Sequence, residues 1–146
     1  MIGLLQRVSS ARVVVDAATI ASIERGLLVL VGVQKEDGEP QADRLLERML
    51  SYRVFPDADG KMNLSLRDVK GGLLLVPQFT LAADTKKGTR AGFSTAAEPA
   101  RAKELFESLL ARARAEWPLT QSGVFGADMK VSLVNEGPVT FWLDAQ

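Results

Sequence analysis

Two stretches of the chain share one order: a glycine, a continuous apolar run and, after a loop, a proline that opens an amphipathic helix. The first comprises residues 26–33 and a helix that begins at Pro40. The second comprises residues 71–76 and a helix that begins at Pro99. A continuous apolar strand is typical of a parallel sheet that is covered on both faces. The chain must therefore supply a layer on each side of these two strands.

Five further segments alternate between polar and apolar residues, as strands with one buried face do: 2–8, 13–15, 20–24, 131–135 and 139–143. Glu136-Gly137-Pro138 separates the last two segments and predicts a hairpin turn. Two helices cannot cover both faces of so much sheet. We therefore expect a mixed α/β fold in the order β(2-3)-(βα)2-β(3), in which two sheets pack together and both helices lie on one outer face, a three-layer β/β/α arrangement.

Cysteine and histidine are both absent from the chain. Their absence excludes thiolate nucleophiles, zinc sites of thiolate or imidazole, and the Ser-His-Asp triad. Any catalysis must use carboxylates, hydroxyls, lysine, tyrosine, main-chain groups or the substrate itself. Residues 57–60 begin like a calcium loop, but Lys61 stands where such a loop needs an acid or an amide. We interpret the segment as a turn and assign no metal ligand.

Charge and hydropathy limit which partners the protein can bind and in which compartment it can lie. The 18 basic and 18 acidic residues give zero net charge, so contact with nucleic acid requires a local patch. The apolar runs are far shorter than the ~20 residues that a membrane helix needs, and residues 1–7 lack a secretion signal. We expect a cytoplasmic protein with no membrane partner. The length of 146 residues predicts one domain, 1–146.

Polar and aromatic residues follow the second buried strand, where binding residues commonly lie. Pro77-Gln78-Phe79-Thr80-Leu81 ends this strand with a proline, an amide, an aromatic ring and a hydroxyl. The next loop, 84–90, carries Lys86, Lys87 and Arg90 against one acidic residue. Such a loop is either simply solvated or contacts phosphate groups.

Together with Asn135-Glu136-Gly137-Pro138-Val139-Thr140, the strand-end segment resembles the paired signatures of the D-aminoacyl-tRNA deacylase family. These signatures are Ser-Gln-Phe-Thr-Leu and Asn-x-Gly-Pro-Val-Thr. The likeness continues through Leu4-Gln6-Arg7-Val8, 83–88 and 123–129, and so covers essentially the whole chain.

The resemblance implies a homodimer that hydrolyses the ester between a D-amino acid, or glycine, and the 3′-terminal ribose of tRNA, a proofreading step in translation. It implies that a Gly-Pro with a cis bond, here Gly137 and Pro138, enters the partner subunit's pocket and rejects L-substrates. The catalytic residues would be Gln78, Phe79 and Thr80, and main-chain groups around them would face the aminoacyl carbonyl. Pro77 would line the same pocket and Met129 would pack near the adenine. We expect no cofactor and no DNA partner.

One position departs from the family pattern: Pro77 replaces a serine and has neither a hydroxyl nor a main-chain N–H. We infer that position 77 shapes the loop. An aminoacyl ester is activated, and the ribose 2′-hydroxyl can help to orient water. Main-chain donors can then stabilise charge on the carbonyl oxygen. Thr80 as a nucleophile is the alternative, although no histidine is present to accept its proton.

Two other functions remain open. The chain could be a tRNA- or RNA-binding module that uses Lys86, Lys87 and Arg90 without chemistry, or an enzyme that acts on small free metabolites. In the esterase interpretation, the same three residues contact tRNA phosphates.

Overall fold

The computed structural model describes all residues, 1–146, as eight strands, three α-helices and one short 3-10 helix. The strands are β1 (Ile2–Val15), β2 (Ala18–Ile23), β3 (Gly26–Gly32), β4 (Phe55–Pro56), β5 (Met62–Leu64), β6 (Gly72–Pro77), β7 (Thr120–Ser122) and β8 (Lys130–Asp144). The α-helices are α1 (Glu39–Ser51), α2 (Leu66–Val69) and α3 (Pro99–Glu116). The 3-10 helix spans Phe79–Ala82. None of the helices is long and apolar enough to cross a membrane.

The two predicted strand and helix units are present, and their strands are parallel neighbours at the centre of the sheet. The strand order is β2-β1-β3-β6-β7, and β8 pairs with β1. Val29 of β3 lies opposite Leu75 of β6. The mixed α/β class and the two main helices are therefore confirmed.

The two layers of strands are halves of one hydrogen-bonded sheet and not two separate sheets. β1 and β8 have 14 and 15 residues and pair antiparallel along their length. The first half of β1 also pairs with β3, and the second half pairs with β2. The sheet curls, so that the main-chain N–H of Ser22 in β2 donates to the Gln121 side chain of β7 at 2.7 Å.

Successive residues of the central strands enter two different cores, as expected for strands buried on both faces. Leu73 and Leu75 pack with α1 and α3, whereas Leu74 and Val76 pack with β2 and the second half of β1. The helices, the central strands and the curled half of the sheet thus form three successive layers.

The predicted hairpin at Gly137-Pro138 is not present, because both flanking segments belong to the single strand β8. Gln6 lies opposite Thr140, and Val8 lies opposite Asn135. One residue of β1 therefore faces the four residues 136–139, which leave the ladder as a loop. The C-terminal region has two strands, β7 and β8, where about three were predicted, and the small sheet of β4 and β5 was not predicted.

Candidate active site

The segment that follows β6 turns directly from strand into 3-10 helix. Pro77 pairs with Val31 of β3, and the Gln78 N–H donates to the Val31 carbonyl at 2.8 Å. Along a strand, successive residues direct their main-chain groups to alternate neighbours. The main-chain groups of residue 77 therefore point towards the β7 side of β6, and the pairing of β6 with β7 ends before it, at Leu75. A proline there costs no ladder hydrogen bond, which agrees with a shaping role for position 77.

Two main-chain N–H groups at the start of the 3-10 helix have no main-chain acceptor. They belong to Phe79 and Thr80, as expected for the first residues of a helix. Both residues are exposed, and the Phe79 ring lies 5.3 Å from that of Phe93. Of the three predicted catalytic residues, Gln78 has its N–H committed to the sheet. The available donors are the N–H groups of the other two.

The Thr80 hydroxyl accepts a short hydrogen bond, 2.5 Å, from the Gln78 side-chain amide. An amide nitrogen is not a base, so this partner cannot take the hydroxyl proton. Thr80 also borders an open cavity of about 490 Å³. Polar residues and one indole ring share its wall: Gln34, Asp84, Thr85, Lys86, Trp142 and Asp144.

Pro77 and Met129 are brought together across Gly123. A Cβ placed on Gly123 would lie 2.6 Å from Met129 Sδ and 3.6 Å from Pro77 Cδ. These two predicted pocket residues therefore lie close together, and neither of them borders the cavity next to Thr80.

The loop 136–139 is held at its base by the side chains of Asn135 and Arg7. The Asn135 carbonyl oxygen accepts from the Val139 N–H at 2.8 Å, and its amide donates to the Thr140 hydroxyl at 2.7 Å. Arg7 Nε donates to the Glu136 carbonyl at 3.0 Å, and its Nη1 donates to the Val54 carbonyl at 2.7 Å. The loop is thus anchored to β1 and to the segment before β4.

Gly137 and Pro138 lie at the tip of this loop, are exposed and are joined by a cis peptide bond. Gly137 has a φ of +131°, and a Cβ there would lie 2.8 Å from Val139 Cγ2, so the position requires glycine. Neither residue borders the cavity next to Thr80. Within one chain, the two family signatures are therefore not brought together.

The three predicted tRNA-binding residues lie on an exposed loop beside the cavity. The loop is closed at its base by two main-chain hydrogen bonds between Asp84 and Gly92, at 2.8 and 2.9 Å. Lys86, Lys87 and Arg90 are exposed, and none of them forms an ion pair within 4 Å. Their charges are free to meet an anion.

Trp142 was not identified as a site residue from the sequence. The alternation of inward and outward residues along the strand could have identified it, because Phe141 and Leu143 face inwards. Trp142 must then face outwards, and it is 53% exposed beside the Thr80 cavity.

The turn that begins at Asp57 is internally satisfied. Its carboxylate accepts hydrogen bonds from the Asn63 side chain and from the N–H groups of Lys61 and Asp59. These bonds, that of Asn63 foremost, hold the pKa of Asp57 below its usual value. The interpretation as a turn is confirmed.

Comparison with known proteins connects this geometry to a family. The family model described as D-Tyr-tRNA(Tyr) deacylase matches residues 4–144. A D-aminoacyl-tRNA deacylase of Alkalilimnicola ehrlichii is 61% identical over 146 residues, which cover 100% of this chain and 97% of that protein. A D-aminoacyl-tRNA deacylase of Pseudomonas syringae pv. tomato is 62% identical over 141 residues, which cover 97% of each chain.

Two solved structures share the fold. One, described as c-Myc DNA Unwinding Element Binding Protein, is 35% identical with a TM-score of 0.95 and covers 100% of this chain and 99% of its own. The other, described as a probable eukaryotic D-amino acid tRNA deacylase, is 17% identical with a TM-score of 0.83 and covers 98% of each chain. The second likeness concerns the fold alone. The match over residues 4–144 and the identities above 60% show that the chain belongs to the D-Tyr-tRNA(Tyr) deacylase family.

Proposed function

We propose that the protein hydrolyses the ester bond of D-aminoacyl-tRNA and glycyl-tRNA, releasing the free amino acid and tRNA. The observation that carries this proposal is that the main-chain N–H groups of Phe79 and Thr80, within the family signature, have no main-chain acceptor, and that Thr80 borders an open cavity. Two such donors suit the carbonyl oxygen of an ester, which becomes negatively charged during hydrolysis.

The chemistry requires little from side chains. Water attacks the ester carbonyl carbon, the bond to the ribose 3′-oxygen breaks, and that oxygen takes up a proton to become a hydroxyl. The neighbouring 2′-hydroxyl of the substrate orients the water, and the two N–H groups stabilise the oxyanion. This division of roles suits a chain without histidine or cysteine.

Thr80 acts in this scheme through its main chain and not as a nucleophile. A hydroxyl nucleophile needs a neighbouring base. The partner observed for the Thr80 hydroxyl is the Gln78 amide, which donates to it. The hydroxyl is therefore held in place without being activated.

The active form in this proposal is a homodimer in which Gly137 and Pro138 enter the partner subunit's cavity. Their exposed position at the tip of an anchored loop supports this role. Val134 precedes the loop and Trp142 follows it in β8, and their side chains are 57% and 53% exposed, so apolar side chains on both sides of the loop are available to a second copy. The loop backbone would block an L side chain, whereas a D side chain points away and glycine has none.

The 3′ end of tRNA would lie between the cavity and the basic loop. Lys86, Lys87 and Arg90 would contact phosphates, which are the main source of affinity for nucleic acids. Pro77 and Met129 would pack against the terminal adenine. The chain's zero net charge makes this local patch the source of electrostatic attraction.

A nucleic-acid-binding module without catalysis is the alternative function. The 35% identical structure favours it, because the name of that protein describes it as binding a DNA element. The basic loop, whose cationic side chains form no ion pair, would bind nucleic acid in either function.

Turnover separates the two functions. We expect multiple turnovers of D-tyrosyl-tRNA and glycyl-tRNA by catalytic amounts of the protein, and resistance of L-tyrosyl-tRNA. Binding without release of amino acid would reject the esterase. Hydrolysis of simple D-amino acid esters at rates comparable to those for charged tRNA would indicate an enzyme that acts on small free metabolites.

A further inference from the structure

Gly32, the last residue of β3, lies directly behind residues 78–82, which form the catalytic segment in the proposed function. It is buried, and a Cβ placed on it would lie 2.9 Å from Leu81 Cβ, 3.3 Å from the Gln78 carbonyl oxygen and 3.4 Å from the Ala82 nitrogen. The 3-10 helix can occupy its position only because residue 32 has no side chain.

The atoms that such a Cβ would meet cannot move independently of the main chain. Two of them are main-chain atoms, and Leu81 Cβ is bonded directly to its Cα. Gly3 provides a contrast, because its nearest neighbour would be Leu45 Cδ1, also at 2.9 Å, which is the end of a flexible side chain. A side chain at 32 must therefore displace either β3 or the catalytic segment.

Of these two, β3 is the more firmly held. Gly32 pairs with Ile2 of β1, and the preceding Val31 pairs with Gly3 on one side and with Pro77 on the other. The catalytic segment is held at its two ends, by the hydrogen bond from the Gln78 N–H to Val31 and by that from the Thr95 hydroxyl to the Ala82 carbonyl, while Phe79 and Thr80 between them are exposed. The displacement would therefore fall on residues 79–81.

We propose that Gly32 is a positioning residue for the hydrolysis, because its missing side chain sets where the N–H groups of Phe79 and Thr80 lie. The inference rests on the proposed function, in which these two groups receive the developing oxyanion. It assigns a role to a residue outside both family signatures.

A small displacement of these donors has a large kinetic effect. Removal of one preorganised oxyanion donor costs about 10²–10³-fold in kcat, and misplacement by about 1 Å costs on the order of 10²-fold. We therefore expect Gly32→Ala to lower kcat by about 10- to 100-fold. KM should change much less, because the basic loop, Pro77 and Met129 are not displaced.

The experiment measures kcat and KM for D-tyrosyl-tRNA in the wild type, in Gly32→Ala and in the matched control Gly3→Ala. The control adds the same methyl group at the same 2.9 Å approach, but against Leu45 of the helix-side core and away from the catalytic segment. It should lower the thermal unfolding temperature while kcat stays near that of the wild type. A wild-type kcat in Gly32→Ala, or an equal loss of kcat in both variants, would overturn the proposal.

A second pair of variants, Leu81→Gly alone and Leu81→Gly combined with Gly32→Ala, tests whether the contact with Leu81 causes the loss of kcat. Leu81→Gly removes the Cβ that lies closest to position 32. The factor by which Gly32→Ala lowers kcat should therefore be at least about fivefold smaller in the Leu81→Gly background than in the wild type. Equal effects in the two backgrounds would show that Gly32 does not act through Leu81.

The main-chain amide resonances of Phe79 and Thr80 supply a readout that does not require activity. They should shift in Gly32→Ala and stay unchanged in Gly3→Ala. Unchanged resonances in both variants would reject the positioning role of Gly32. Absence of turnover by the wild type would instead reject the proposed function.

Discussion

Replacing Lys86, Lys87 and Arg90 together with alanine tests whether the basic loop binds tRNA phosphates. The three side chains are exposed and unpaired, so no internal ion pair is lost in the variant. The loop is closed by main-chain hydrogen bonds between Asp84 and Gly92, which the substitutions leave intact. The variant should therefore fold normally and lose only charge.

The expected magnitude follows from counterion release. Each phosphate contact contributes about 0.7 to 0.9 to the slope of log affinity against log salt, so three contacts contribute about 2.1 to 2.7. Between about 50 and 200 mM salt, the wild type should lose roughly 20- to 40-fold more affinity for tRNA than the triple variant does.

The assay is a salt titration of tRNA binding, with kcat measured at saturating substrate. Lys61→Ala, Lys70→Ala and Arg114→Ala together form a control with the same loss of three exposed charges that form no ion pair. Lys61 and Lys70 precede β6 in the chain, whereas residues 78–82 follow it. We expect the control to keep the wild-type slope and the loop variant to keep the wild-type kcat. Equal slopes in the loop variant and the wild type would show that the loop is merely solvated.

Three further outcomes follow from single side chains. Thr80→Ala should retain much of the activity if main-chain donors carry catalysis, and a loss on the order of 10⁵-fold in kcat would establish the hydroxyl as nucleophile. Phe106→Ala, on the buried face of α3, should lower the free energy of unfolding by about 3–5 kcal/mol in denaturant titrations, and a change below about 1 kcal/mol would contradict its burial. The lowered pKa of Asp57 stabilises the fold above the unfolded-state pKa, and this stabilisation is lost as the pH falls through the folded-state pKa. Asp57→Asn should therefore be less stable than the wild type at neutral pH, and the difference should shrink below pH 3.8; a constant difference across that range would refute this linkage.

Local patterns predicted the parts of the fold whose structure is set locally. The continuous apolar runs of β3 and β6 and the three- and four-residue spacings of α1 and α3 each correspond to one element. Burial on both faces of the central strands also followed from these runs, because a strand without alternation has no solvated face.

Long-range pairing determined the parts that the sequence did not predict. A glycine and a proline between two alternating segments have the same local pattern in a hairpin as in a loop extruded from one strand. Here both segments pair with β1, so residues 136–139 leave the ladder and the strand continues. The pairing with β8 also continues beyond Ser9, so that β1 is one strand where the sequence suggested a break.

The candidate site was predicted as a set of residues but not as an arrangement. The signature at 77–81 has a regular position, the end of a buried strand, and the structure places it there. The commitment of the Gln78 N–H to β3 and the outward position of Trp142 depend on neighbouring strands. No spacing within the motif itself encodes them.

The pairing of β1 with β8 also constrains how the chain reaches its native state. Ile2 lies opposite Asp144, so the contact joins residues from opposite ends of the sequence and gives the sheet a high contact order. During synthesis, at about 5–20 residues per second, the β1 edge that receives β8 stays open on the order of ten seconds. The loop that carries Gly137 and Pro138 can form only when this last strand docks. In the proposed function, chiral selection is therefore the final property that a newly made chain would acquire.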